Sequence, residues 1–362
     1  MDLNKLEKIL EEEPIFRLRQ IKKAVFRDLI ENWDEISTLP KNLREQLTKE
    51  CPTNELEEEK TLVSKDNQTI KALFKLKDGC KIESVLMRHG STSPSILKSS
   101  GLKGSPQVSR ITVCVSSQVG CAMGCQFCAT GQQGFKRNLS SSEIIDQVLF
   151  FARLLKGDEV ATSSSPFAVA RVTNVVFMGM GEPFLNYENV LEAIKILNDK
   201  DGFNLGARHI SISTAGIIEG IKKFSDEKIQ ANLAISLHAP NNKLRTKLMP
   251  INKIYPIEKV LAAVDIYIEK TNRKVMFEYL MIDKVNDSEA QVEELVKIMK
   301  KPLYFLNLIS FNPVSHLTFK PSSNQKIKEF RGILEKGGVS VTQRHRFGRE
   351  IQAACGQLVG EK

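Results

Sequence analysis

From Arg110 onward the chain alternates two patterns, and that alternation restricts its fold more than any other feature. Short apolar runs lie at Ile111–Ser116, Val172–Met178, His209–Ser213, Ala231–Leu237, Val275–Met281 and Leu303–Ile309. Between most of them lie helical periodicities, among them Ser142–Leu155, Glu188–Asn198 and Ser288–Lys300. Strand, helix, strand, repeated about six times, predicts a parallel sheet. Starting caps agree: Asn186 stands before Glu188, and Asp287-Ser288-Glu289 before Val292. The expectation is a partial or full α/β barrel, with its chemistry at the C-terminal ends of the strands. The polar residues expected there are Gly179-Met180-Gly181-Glu182-Pro183, Ser213-Thr214, Ser236-Leu237-His238 and Asn312.

The remainder of the chain has other textures. Leu18, Ile21, Val25 and Leu29 recur on one helical face, and Leu39-Pro40-Lys41 reads as a turn into another helix. Residues 1–55 are therefore a small helical accessory domain, with RNA binding as one possible use. Residues 56–110 form a small β segment, with strands at Thr61–Val63 and Ile82–Leu86 and a turn at Asp78-Gly79. Its last part, 88–110, is rich in Ser, Gly, Pro, Lys and Arg and holds no acid. A loop of that length is flexible or functional. A second Ser-rich loop covers 157–166. The barrel would span 111–350 and a C-terminal tail 351–362.

Hydrophobic residues at 41% and charged residues at 26% exclude a wholly disordered chain. With 52 Lys and Arg against 43 Asp and Glu, the net charge is +9, which favours a polyanionic partner. No apolar run approaches the roughly 20 residues that span a bilayer, and Met1–Lys8 resembles no secretory signal. The expectation is a cytoplasmic protein without membrane attachment. Residues 320–349 hold eight Lys or Arg and two Glu, including Arg344-His345-Arg346. Such a run reads as a solvated face or as a phosphate-contacting one.

The seven cysteines are an odd number and a poor disulfide framework. Three of them, Cys121, Cys125 and Cys128, fall within eight residues. A structural zinc site wants four protein ligands, and no histidine stands nearby. Three thiolates on one loop suit an iron–sulfur cluster that leaves one iron open. Buried, inert thiols are the third reading.

The spacing Cys-x-x-x-Cys-x-x-Cys after a first barrel strand resembles the radical S-adenosylmethionine superfamily. The longer strings are narrower in their likeness. They are Cys114-Val115-Ser116-Ser117-Gln118-Val119-Gly120-Cys121, Cys128-Ala129-Thr130-Gly131-Gln132-Gln133-Gly134-Phe135 and Ile351-Gln352-Ala353-Ala354-Cys355-Gly356-Gln357-Leu358. Together they resemble the RlmN/Cfr family of RNA adenine methyltransferases over nearly the whole chain.

That resemblance implies a partial (β/α)6-type radical SAM barrel with the small helical domain before it. It implies that Cys121, Cys125 and Cys128 hold a [4Fe–4S] cluster whose open iron takes S-adenosylmethionine. Gly181, Glu182, Ser213, Ser236, Leu237, His238 and Asn312 would line that cofactor. Cys355 would become methylated, Cys114 would be its resolving partner, and Glu83 the proton acceptor. Two departures stand out: the 88–110 loop lengthens the separation of Glu83 from Cys114, and Glu350 replaces a common Asp.

The implied reaction is methylation of adenosine C2 in large-subunit ribosomal RNA and in transfer RNA, with C8 as the alternative carbon. Either carbon lies between electron-withdrawing nitrogens and is no nucleophile, so a carbon radical must add to it. Two S-adenosylmethionine molecules are consumed per methyl group. RNA is held covalently on Cys355, Glu83 removes the ring proton, and Cys114 releases the product by forming a disulfide. Flavodoxin or ferredoxin would supply the electron, and the chain would act as a monomer. The alternative of another class is a non-catalytic, zinc-holding RNA-binding protein.

Overall fold

The computed structural model describes residues 1–89, 110–157, 171–314, 317–344 and 347–360. Most of the 88–110 and 157–166 segments, with His345 and Arg346, lie outside them.

The first helices are α1 (Leu3–Ile9), α2 (Phe16–Phe26) and α3 (Lys41–Glu50). Pro40 stands immediately before α3, where the sequence predicts a turn into a helix. Ile21, Ala24, Val25 and Phe26 form the buried face of α2, while Leu29 lies beyond its end with φ 56°. Three strands follow: β1 (Glu57–Val63), β2 (Thr69–Lys75) and β3 (Lys81–His89). Next come β4 (Arg110–Cys114), β5 (Gln118–Gly120), α4 (Ala129–Gln132), β6 (Phe135–Asn138) and α5 (Ser141–Gly157). The alternation continues with β7 (Asn174–Phe177), α6 (Tyr187–Asn198), β8 (Ile210–Thr214), α7 (Ile218–Asp226), β9 (Asn232–Ser236), α8 (Asn242–Leu248) and α9 (Ile257–Thr271). It closes with β10 (Val275–Met281), α10 (Glu289–Met299), β11 (Tyr304–Ser310), α11 (Asn324–Lys336) and β12 (Val341–Gln343).

One sheet runs in the order β1-β2-β3-β4-β7-β8-β9-β10-β11-β12, and β5 pairs separately with β6. From β4 to β12 every neighbouring pair is parallel. Strands such as β10, Val-Met-Phe-Glu-Tyr-Leu-Met, are buried almost throughout, because helices cover the outer face and side chains fill the inner one. The six strands read from the sequence are all present. The short β12 adds a seventh at the edge, inside the basic segment. Strands β1–β3 are antiparallel and extend the barrel sheet as a wing, since β3 pairs with β4 from Val85 and Cys114 to His89 and Arg110.

The caps differ in kind. Ser288 closes a full capping box with Gln291 at α10. Asn186 stands at the cap position of α6 but does not cap; its Nδ2 donates to Ser117 O and Leu139 O, both at 2.8 Å. It ties the strand-end turn to the two ends of the β5–β6 hairpin instead. The helical module packs on the barrel's flank: Arg153 on α5 donates to Ile30 O at 2.6 Å, and Lys22 pairs with Asp199 at 2.9 Å. Among the described residues no helix is long and apolar enough to cross a membrane.

Candidate active site

The cysteine loop leaves β5 through Gly120, at φ 73°, where any Cβ would collide with the Gly134 carbonyl. That close approach lets Cys121 N donate to Gly134 O at 2.9 Å and fastens the loop to the β5–β6 hairpin. Burial raises all three loop thiols. Cys121 is pushed up to about 12 and Cys125 well above its ordinary value, and neighbouring thiolates add to both. Cys128 also rises. Thiols held neutral by burial ionise when a soft cation takes them, which fits an iron–sulfur cluster with three protein ligands. A structural zinc ion wants four protein ligands, and the loop offers three thiols; among the described residues no three His, Cys, Asp or Glu side chains, these thiols included, close on one point.

The strand ends carry the remaining polar residues. Gly181 has φ 103°, and a Cβ there would come within 2.6 Å of Gln118 Cβ. Glu182 is fully enclosed; its Oε1 accepts from Phe184 N at 3.0 Å and its Oε2 from Ala215 N at 2.6 Å. Burial lifts its carboxyl to about 7, against the pull of those two donors. Ser213 is half-buried on β8, Ser236 ends β9 and Leu237 follows it. His238 adopts φ 57° and is buried; its Nδ1 accepts from Leu280 N at 3.0 Å, so the neutral ring carries its proton on Nε2. The edge of Phe127, in the cysteine loop, meets that ring at 4.8 Å between centroids.

Cys114 and Cys355 share one small cavity, ≈ 40 Å³, together with Met178, Asn312 and Arg344. Both are free thiols. Burial pushes Cys114 up to about 12, with the Cys355 charge adding to the rise and Arg344 opposing it. Asn312 Nδ2 donates to Cys355 O at 3.4 Å, while its buried Oδ1 has no partner. The tail that carries Cys355 is fastened across the barrel mouth. Ala129 N donates to Gly356 O at 2.8 Å, Thr130 Oγ1 to Leu358 O at 2.6 Å, and Gln357 Nε2 to Pro313 O at 2.7 Å. The cysteine loop and the tail are thus one hydrogen-bonded unit.

Glu83 lies on β3 beneath that tail and is not among the residues lining the cavity. Its Oε1 pairs with Lys71 Nζ at 2.8 Å and its Oε2 accepts from Val359 N at 2.8 Å. Arg344, which the sequence places in a basic run, is half-buried and turned inward, with Nη1 3.5 Å from Met178 Sδ. Lys71, Arg245 and Arg344 belong to the site's surroundings, and sequence reasoning missed all three roles. No local spacing marks a cation whose partners come from distant strands.

The family model described as the radical SAM superfamily matches residues 115–296. The chain is 42% identical over 360 residues to a Syntrophomonas wolfei protein named "Probable dual-specificity RNA methyltransferase RlmN", covering 99% of this chain and 95% of the relative. A Chloroflexus aurantiacus protein of the same name is 41% identical over 367 residues, covering 99% and 91%. The crystal structure of a radical SAM methyltransferase from Sphaerobacter thermophilus superposes with a TM-score of 0.88 at 41% identity, covering 100% of this chain and 98% of that one.

Proposed function

Because the chain belongs to the radical SAM superfamily and, within it, to the RlmN family of RNA methyltransferases, we propose that it methylates adenosine C2 in large-subunit ribosomal RNA and in transfer RNA, in the cytoplasm. The observation that carries this reading is the pairing of Cys114 and Cys355 in one cavity, on a tail bonded to the cysteine loop. A non-catalytic zinc protein has no need of two such thiols.

When bound, a [4Fe–4S] cluster and two S-adenosylmethionine molecules per turnover supply the electron, the methyl group and the radical. Cys121, Cys125 and Cys128 would hold the cluster, with electrons arriving from a flavodoxin- or ferredoxin-type carrier. Gly181, Glu182, Ser213, Ser236, Leu237, His238 and Asn312 would surround the sulfonium cofactor. The neutral His238 suits a cationic ligand, since it adds no charge of its own.

Cys355 carries the methyl group and then the bond to the base. The radical adduct must give up one electron, to the carrier that supplied it, and its ring proton, to Glu83, which leaves a closed-shell, electron-rich framework attached to the Cys355 sulfur. Cys114 attacks that sulfur as the thiolate, the Cys355 S–C bond breaks, and its electron pair stays on the departing carbon. A proton completes the new methyl group. The two cysteines are left as a disulfide, which a thiol reductant must reopen. Charge favours this order: the Cys355 thiolate raises Cys114 only while it is free. Once Cys355 is alkylated that repulsion is gone and Arg344 remains.

Mass analysis of nucleosides from RNA treated with the reconstituted protein tests the reading. The expected product is 2-methyladenosine. The 8-methyl isomer would overturn the regiochemistry, and an unmethylated digest the activity.

A further inference from the structure

A cation is buried where β8 and β9 end, with no acid among the described residues paired to it. Arg245, on α8, is 0% exposed. Its Nε donates to Leu237 O at 3.2 Å, its Nη1 to Asn252 Oδ1 at 3.0 Å and Tyr255 O at 3.1 Å. Its Nη2 donates to Ala215 O at 2.7 Å and Ser236 O at 3.0 Å. All five acceptors are uncharged. Hydrogen bonds to carbonyls satisfy its donors but leave its net charge uncompensated, and an uncompensated buried charge is costly.

The surroundings show where the compensating charge belongs. The C-terminal end of α8 holds the cysteine loop, because Gln126 N, one residue past Cys125, donates to Leu248 O at 2.9 Å. Across the loop stands Glu182. The Ala215 peptide joins the two, its N–H bonded to Glu182 Oε2 and its carbonyl to Arg245 Nη2. The Cys125 thiolate is the one charge that raises Arg245, against the lowering by burial. A four-iron cluster on three thiolates is anionic when oxidised and gains another negative charge on reduction. Net charge near such a cluster is one of the protein's levers on its potential.

We propose that Arg245 is the resident counter-charge of the cluster, a positioning residue that raises its reduction potential and anchors the strand ends around it. This rests on Cys121, Cys125 and Cys128 being the cluster ligands. The test compares Arg245→Lys with Arg245→Gln in the full chain, reconstituted anaerobically without RNA or S-adenosylmethionine. Reductive titration is followed by the paramagnetic signal of the reduced cluster. Arg245→Gln should make reduction at least tenfold harder, a fall of about 59 mV for one electron, while Arg245→Lys stays near the parent. Equal potentials for the parent and the Gln variant, or an equal fall in both variants, would overturn the proposal. Should the Gln variant hold no iron while keeping the parent's circular dichroism, iron retained by the Lys variant supports the charge role. Iron lost equally from both points to hydrogen-bond geometry and overturns it. A parent protein that takes up no iron would instead overturn the cluster reading itself.

Discussion

Cys114 and Cys355 sit in the same cavity but should fail differently when removed. Cys355→Ala has no sulfur to carry the methyl or the base, so it should give neither product nor conjugate. Cys114→Ala can still reach the covalent stage, and should stall as a protein–RNA conjugate that survives denaturation. A denaturing gel with labelled RNA separates the two; free turnover by Cys114→Ala would contradict its assignment. The spacing of Cys121, Cys125 and Cys128 is itself a signal, whereas Cys114 and Cys355 stood out only through the family resemblance. His238 was legible as a polar residue at a strand end, its role only through resemblance, and its environment adds a pH effect. Burial, with Arg245 adding, holds it down to about 3 from 6.5. Below pH 6.5 the unfolded chain binds a proton that the folded chain refuses, so stability present above 6.5 is lost as pH falls toward 3. Between pH 7 and 5 this one group should cost about 2 kcal/mol. Denaturant unfolding of metal-free parent and His238→Gln should show the parent falling further by that amount. Parallel losses would mean the ring is protonated in the fold. Arg245 left no trace in the sequence, and Arg344 showed only as part of a basic run, not as a cation lining the cavity, since their meaning lies in carbonyls and thiols brought from other strands.

Strand periodicity located the parallel sheet well, because strands covered on both faces are long apolar runs such as Val275–Met281. It missed β2, Thr-Ile-Lys-Ala-Leu-Phe-Lys, although six of its seven residues are buried. Lys71 interrupts the run, and what makes it tolerable inside is the Glu83 carboxylate on β3. It missed β12, whose three residues gain their strand geometry from pairing with β11. The tail was legible as a motif, but not its path, which tertiary hydrogen bonds determine. Those bonds make a prediction. Thr130→Val deletes the buried Oγ1 hydrogen bond to Leu358 O at almost constant shape. A hydrogen bond of this kind contributes about 1 kcal/mol, so amide exchange across 351–360 should quicken roughly fivefold while the sheet is unaffected. Unchanged exchange in the tail would show that the bonds from Ala129, Gln357 and Val359 secure it without Thr130. Glu83 is held by the same tail through Val359 N, so loosening the tail also frees the carboxylate proposed as the proton acceptor.

The charge of +9 is a property of the entire chain, and the fold distributes it in a way that composition does not reveal. The first 50 residues are nearly balanced, with ten cations and eleven anions, while 320–349 is strongly basic. Within that segment the fold separates cations by position. Arg344 is turned into the cavity, whereas Lys320, Lys326, Lys328 and Lys336 are exposed. Helices in a parallel α/β barrel run opposite to its strands, so the start of α11 lies at the mouth and its end at the far face. Thirteen residues of helix span about 20 Å, enough to take Lys336 beyond a duplex backbone seated over Cys355. Phosphate pairing should therefore fall to Lys320 and Lys326 and not to Lys336. Removing one cation from a phosphate lowers the slope of log affinity against log salt by about 0.7 to 0.9. Lys320→Glu with Lys326→Glu should reduce that slope by well over one, at the same cost for every RNA sequence, while Lys336→Glu leaves it within error. RNA binding titrated from about 50 to 200 mM salt reads the difference. Equal slopes for the two variants would place the RNA path elsewhere on the molecule, with the basic segment left as a solvated face.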